Sequence, residues 1–395
     1  MKTIKVISVI MMLVVITSCS KDKIPEPLNK YLTADYIPVN RTITGIELAQ
    51  QGNVTYDNVT YNTDFYRNLS YDAGIEGKYT FLVLNPANNP SGEAPLWVYF
   101  HGGSVGYYND QQQYQCLKRQ NELSWNKEET YENLVNDILG ERLFDDGVLR
   151  DNTLSRRIQE GYRLLVLSYS DHDFYMGTGI DYPNNPYGGQ VNGLQASMSA
   201  VDFVAANYPT TYVYSHGTSA GGVGAYAMGV AYYLEGTRLS GIISDCGPLL
   251  AQGTEIYDEY EGHPESLQMP TFKGQGVLEK IGVFGNFENG LYAESMVSNG
   301  FDTPLLSIAG KADPYYNCHL PVMSKAIADG YDNNVDWLFR NLIVEIEEQP
   351  NSLHKVLILD NTGHVPSIKN NPTANNSVDD FIDNILSTNP AIPFN

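Results

Sequence analysis

Cysteine is scarce in this chain, with four in 395 residues, and no two are spaced as C-x-x-C. That excludes a disulfide-framework fold and gives no sign of a zinc-ribbon site. Basic residues are scarce too: 24 Lys and Arg face 46 Asp and Glu, a net charge of −22. Phosphate repels such a chain, so neither nucleic acid nor anionic lipid is expected as an electrostatic partner. Long apolar runs are also missing at the N-terminus. The run from Val6 to Ile16 covers eleven residues, whereas a bilayer core needs roughly 20.

Lys2 and Lys5 precede that run, and it ends in Ile16-Thr17-Ser18-Cys19. A basic start, an apolar middle and small residues describe a secretory signal. Small residues just before a cysteine resemble the bacterial lipoprotein signal, so residues 1–18 are expected to be removed and Cys19 to carry lipid. The expected location is the bacterial cell envelope, lipid-anchored at the outer membrane and outside the cytoplasm. Residues 19–37 read as a solvated tether. Removing the signal takes two lysines and no acid, moving the charge from −22 to −24. Cys116, Cys246 and Cys318 then remain, and a Cys246–Cys318 disulfide stays open.

What is present is alternation. Short apolar runs recur at 79–84, 96–100, 163–169, 211–215, 240–244, 304–309 and 355–360. Stretches of helical spacing separate many of them: 133–143, 193–206, 223–234, 320–328 and 336–347. The expectation is an α/β fold, a mainly parallel sheet covered by helices on both faces. Residues 38–395 read as one domain, with a β-rich edge at 38–76 and a lid-like insertion at 247–302. The stretch 104–150 shows no convincing strand. In such sheets the ligand site lies beyond the carboxyl ends of the strands.

Two G-x-S-x-G runs follow apolar strands, Gly102 to Gly106 and Gly217 to Gly221. Small residues follow Ser219 and let a helix start tightly against a sheet, whereas Tyr107-Tyr108-Asn109-Asp110 follows Ser104 and reads as a loop. Ser219 is therefore the candidate nucleophile, on a strand-to-helix elbow. A serine hydroxyl needs a base and a group to orient that base. Asp313 follows the strand 304–309 and His364 the last strand, in the order Ser, Asp, His that a parallel-sheet hydrolase uses. Asp245 is the rival acid, with a structural part as its alternative. Of the other histidines, His216 is expected to pack beneath the elbow, His354 to sit at the wrong end of the sheet, and His319 to open a helix. The oxyanion donors are expected to be the N–H of Ala220 and that of Gly103 or Ser104.

Asp171-His172-Asp173 is the nearest approach to a metal-binding pattern. Neighbours on an extended chain point to opposite faces and no second cluster completes a site. No metal and no cofactor are expected; Tyr107 and Asp173 are expected at the substrate rim.

With these residues placed, the chain resembles the α/β-hydrolases, and within them the pectin acetylesterase and Notum-like carboxylesterases. The resemblance runs from Trp97-Val98-Tyr99-Phe100-His101-Gly102-Gly103 and Cys116-Leu117-Lys118-Arg119 through Tyr169-Ser170-Asp171-His172-Asp173, Gly177 and Gly193. It continues in Gly217-Thr218-Ser219-Ala220-Gly221-Gly222, Ser244-Asp245-Cys246-Gly247, Asp313 and His364. It implies hydrolysis of O-acyl esters, acetyl foremost, on polysaccharides or other polar scaffolds. The chain departs from the family where Ser104-Val105-Gly106-Tyr107 replaces Trp-Cys and where further cysteines are absent, so no disulfide pattern is carried over. A serine peptidase of the same fold and a non-catalytic glycan-binding lipoprotein are the alternatives.

Overall fold

A computed structural model describes residues 38–56, 59–74, 76–89, 92–103, 127–173, 175–181, 190–247, 301–313, 335, 354–388 and 394. Among the described residues, nine strands form one sheet: β1 (Ile46–Tyr56), β2 (Val59–Asp72), β3 (Lys78–Pro86), β4 (Ala94–Phe100), β5 (Arg163–Leu167), β6 (Thr210–Thr218), β7 (Gly241–Asp245), β8 (Leu305–Gly310) and β9 (Lys355–Leu359). Their order is β1-β2-β3-β5-β4-β6-β7-β8-β9. β1, β2, β3 and β5 pair antiparallel in turn, and every pair from β5–β4 to β8–β9 is parallel. The expected mainly parallel sheet is therefore present.

The central strands read as continuous apolar runs because both of their faces are covered. Alternation still decides which residue faces which layer. Leu96, Val98 and Phe100 join one core with Met198, Val201, Val223 and Met228. Those partners come from α2 (Gly193–Asn207) and α3 (Ala220–Leu234). Trp97 and Tyr99 join the other core with Leu154, Ile158, Val378, Phe381 and Ile385. These lie on α1 (Thr153–Gln159) and α4 (Pro372–Thr388).

Helices α1 and α4 are absent from the sequence-based expectation, although both carry local signals. Asn152 caps α1: its side chain accepts the Ser155 N–H, and the Ser155 hydroxyl accepts the Asn152 N–H, each at 3.0 Å. In α4, proline occupies the first position, where its missing N–H costs nothing. Buried Ala374, Val378, Phe381, Ile382 and Ile385 recur there at helical spacing. The helix expected at 133–143 is wound as a π-helix over Asn133–Gly140 before an α-turn at Glu141–Leu143. A small antiparallel ladder, Phe144–Asp145 with Val148–Leu149, lies where no strand was expected. Its two-residue strands are too short to show a period. The expected helices at 320–328 and 336–347 and nearly all of the 247–302 insertion lie outside the described residues, as do residues 1–37 with Cys19.

Candidate active site

Strand β6 passes into α3 through a single residue, Ser219. Its backbone sits at φ 56, ψ −121, a region that a side-chain-bearing residue occupies only under strain. Two bonds hold it there: the Ser219 N–H donates to the Asp245 carbonyl at 2.8 Å, and the Gly222 N–H donates to the Ser219 carbonyl at 2.9 Å. Ser219 is partly exposed between buried Thr218 and Ala220. The flanking glycines are steric requirements. A methyl on Gly217 would overlap the Gly221 carbonyl, and one on Gly221 would overlap the Phe100 carbonyl.

The first G-x-S-x-G run lies against the second. A Cβ on Gly102 would stand 2.8 Å from the Thr218 carbonyl oxygen and 3.0 Å from Ser219 Cβ. A Cβ on Gly103 would stand 2.6 Å from the Tyr169 ring. The loop 101–103 is thereby pressed between the elbow and the end of β5. Ala220 opens α3, and the leading N–H groups of a helix have no acceptor within it. Ser104 and Tyr107 lie outside the described residues.

The loop rests on a buried polar and aromatic network that the sequence did not disclose. His101 Nδ1–H donates to the Gly102 carbonyl at 3.0 Å, and its Nε2 lies 3.3 Å from a Glu129 carboxylate oxygen. That oxygen also accepts the Tyr169 N–H at 3.1 Å, while the Tyr175 hydroxyl donates to the His101 carbonyl at 3.1 Å. Tyr169 stacks between His172 and Tyr175, with ring centroids 4.8 and 4.4 Å away. His172 and Tyr175 both have positive φ, so the turn after β5 is strained as well.

Asp173 is a correction. It was expected at the substrate rim, but it is 1% exposed. Its carboxylate accepts the N–H groups of Tyr175, Gly177 and Gly193 at 2.9, 2.8 and 2.8 Å. It clasps the loop after β5 to the start of α2. Asp171 plays a parallel part, accepting from Gly74 N–H and Asn192 N–H, both at 2.6 Å. Burial, with Asp173 beside it, pushes the Asp171 carboxyl up to about 8.

At the carboxyl ends of β8 and β9, His364 Nδ1 lies 2.6 Å from Asp313 Oδ2. An ionised carboxylate can only accept, so Nδ1 carries the proton and Nε2 is left as the acceptor. Asp313 is fully buried; the His364 side chain is 18% exposed. The turn at 310–313 is tied to the β9 loop by Lys311 N–H to Leu359 and Ala312 N–H to Thr362. Ser219, Asp313 and His364 thus follow β6, β8 and β9 at one end of the sheet.

Asp245, the rival acid, faces another partner. Its Oδ2 accepts both the backbone N–H and the hydroxyl of Ser367, at 2.8 and 2.6 Å. The Ser367 hydroxyl proton is committed to Asp245, so His216 donates Nε2–H to that oxygen at 2.9 Å. Burial pushes the Asp245 carboxyl up to about 6 against the pull of the Ser367 donors. Burial also drives His216 down to about 3, keeping it neutral beneath the elbow. His354, at the opposite end of β9, donates Nε2–H to the Phe301 carbonyl at 2.7 Å.

No family model matches the sequence. No curated protein matches it either. Among solved structures, a glucuronoyl esterase from Solibacter usitatus superposes with a TM-score of 0.50 at 12% identity, covering 92% of each chain. A second structure of that esterase does so at 13% identity with the same score and coverage. S-formylglutathione hydrolase from Agrobacterium tumefaciens gives a TM-score of 0.49 at 11% identity, over 86% of this chain and 99% of its own. At these identities the likeness is one of fold. The chain has the α/β-hydrolase fold. In that fold the crowded turn at Ser219 and the loop 101–103 beside it occupy the ligand end of the sheet.

Proposed function

We propose that this protein is a serine carboxylesterase. Ser219 attacks the ester carbonyl and His364 Nε2 takes its proton. Asp313 holds the imidazole in the tautomer that makes this transfer workable. The N–H of Ala220 and that of Gly103 or Ser104 hold the oxyanion; the ester C–O bond then breaks, the alcohol leaves with the proton returned by His364, and water deprotonated by the same nitrogen releases the acid from Ser219. The observation that carries the reading is the 2.6 Å bond from His364 Nδ1 to buried Asp313. It leaves Nε2 as the base, at the end of the sheet where Ser219 stands strained. The pairing of Asp245 with Ser367 supports Asp313 as the orienting acid.

The substrate class proposed is O-acyl esters, acetyl foremost, on polysaccharides. It rests on the resemblance to pectin acetylesterase and Notum-like carboxylesterases carried by the His101-Gly102-Gly103, Ser219-Ala220-Gly221-Gly222 and Ser244-Asp245-Cys246-Gly247 segments. The protein is proposed to sit in the bacterial cell envelope through lipid at Cys19, with Tyr107 at the rim. Acetate release from acetylated glycans tests the substrate. Release that disappears in Ser219→Ala supports the assignment; cleavage of peptide amides with no acetate would replace it with a peptidase.

A further inference from the structure

Strand β7 leads into a side chain that the proposed reaction leaves idle. Cys246 is 1% exposed and sits in the left-handed region at φ 57. Its Sγ accepts the N–H of Val365, the residue after the proposed base, at 3.3 Å. Sγ, a carboxylate oxygen of Asp313 and a ring nitrogen of His364 all lie within 4.8 Å of one another. A tetrahedral centre with bonds of about 2.0–2.3 Å sets its ligand atoms roughly 3.3–3.8 Å apart, so shifts on the order of 1 Å would close the three around one ion. Thiolate, imidazole and carboxylate together are a borderline-soft donor set. They suit Zn2+ and Cd2+ rather than Mg2+ or Ca2+, which demand oxygen. Burial and the nearby carboxylates of Asp245 and Asp313 hold the proton on sulfur. The same negative field attracts a dication.

We propose that Cys246, Asp313 and His364 form an inhibitory site for a thiophilic divalent cation, with Zn2+ and Cd2+ as its class. The inhibitory half of this rests on the role given to His364 above. The cation takes the Nδ1 lone pair, and the proton from Nδ1 returns to the ring at Nε2. The Cys246 thiol releases its proton to solvent as the metal–sulfur bond forms, and the Asp313 carboxylate exchanges its hydrogen bond for the metal. An imidazole protonated at Nε2 and metallated at Nδ1 has no lone pair left for the Ser219 proton. Inhibition therefore follows from the ring's occupancy, without any block at Ser219. The partly exposed edge of His364 is the approach for the ion.

The test is a titration of the full chain with Cd2+, read by the thiolate-to-metal charge-transfer band in the ultraviolet, with ester hydrolysis followed in parallel. Expected are one equivalent bound, a band and a loss of hydrolysis sharing one midpoint, and recovery of activity on adding a chelator. Cys246→Ser should abolish the band at that equivalent and weaken binding at least about tenfold, with a comparable weakening in His364→Ala. Melting curves check that each variant is folded, and His364→Ala carries the test alone if Cys246→Ser is not. A band and affinity unchanged in Cys246→Ser, or affinity unchanged in His364→Ala, would overturn the proposal. Because the band needs no turnover, a chain that binds Cd2+ here yet hydrolyses no ester contradicts the esterase reading and leaves the ion site standing.

Discussion

Ser367 gives both its backbone N–H and its hydroxyl to a single oxygen of Asp245, at 2.8 and 2.6 Å. The two residues are 122 apart in sequence. Three positions before Ser367 stands His364, and between them Val365 holds a left-handed conformation, φ 49 and ψ 62, that a β-branched side chain disfavours. The end of β7 thus pins a strained turn that presents His364. Asp245→Ala removes the acceptor for two buried donors, at a cost of about 1–3 kcal/mol for each donor left unsatisfied. The expected result is a lower urea midpoint and a kcat that falls more than KM changes, since His364, the proposed base, is displaced while the rest of the site stands. Asp245→Asn keeps one carbonyl oxygen and should recover part of both.

Gly221 is packed directly on the Phe100 carbonyl. A methyl there must push apart α3 and β4, two rigid elements, so Gly221→Ala should cost at least about 1–3 kcal/mol. Activity should fall further than stability, because the same shift moves Ala220 and the loop 101–103. Denaturant unfolding and hydrolysis on the same preparation check both.

Phe381 is fully buried on α4 among the side chains that cover Trp97 and Tyr99. Phe381→Ala should destabilise by about 3–5 kcal/mol and leave KM unaltered, because α4 lies on the face opposite α3. A small loss would mean that α4 is loosely held.

Two histidines set an acid limit. Burial lowers His216 to about 3 and His354 to about 4, against about 6.5 in an unfolded chain. At these two sites the unfolded state binds more protons as pH falls below about 6.5, and the stability they contribute above that value is lost toward pH 4 for His354 and pH 3 for His216. The Asp171 and Asp245 carboxyls, raised to about 8 and about 6, take up protons in the folded state over the same range and offset this loss, so the histidine share is read from a variant. On going from pH 7 to pH 5, His354→Gln, which keeps a donor for the Phe301 carbonyl, should gain about 2 kcal/mol of unfolding free energy relative to the parent. No such gain would mean that His354 takes up a proton freely in the folded protein.

The sheet was legible because buried parallel strands read as short apolar runs, and each of the runs 79–84, 96–100 and 211–215 lies within its observed strand. The placing of Ser219, Asp313 and His364 at one end of the sheet was legible because each follows such a run. Asp173 was not: a sequence shows an acid beside a pocket strand but not the three N–H groups that fold back onto it. The Asp245–Ser367–His216 chain was equally hidden, since its residues come from β6, β7 and the loop after β9 and meet only in the folded sheet. The π-winding at 133–140 leaves no periodic trace distinct from an α-helix over eight residues. Helix α4 was readable in principle, and its mostly polar surface masked the apolar stripe.

The nucleophile is the claim on which the rest depends. A serine-directed phosphonate probe applied to the soluble form starting at Lys21 addresses it directly. The expected result is one covalent adduct, mapped to Ser219 and absent in Ser219→Ala, with hydrolysis lost in step. Labelling of Ser219→Ala equal to that of the parent would contradict the mechanism.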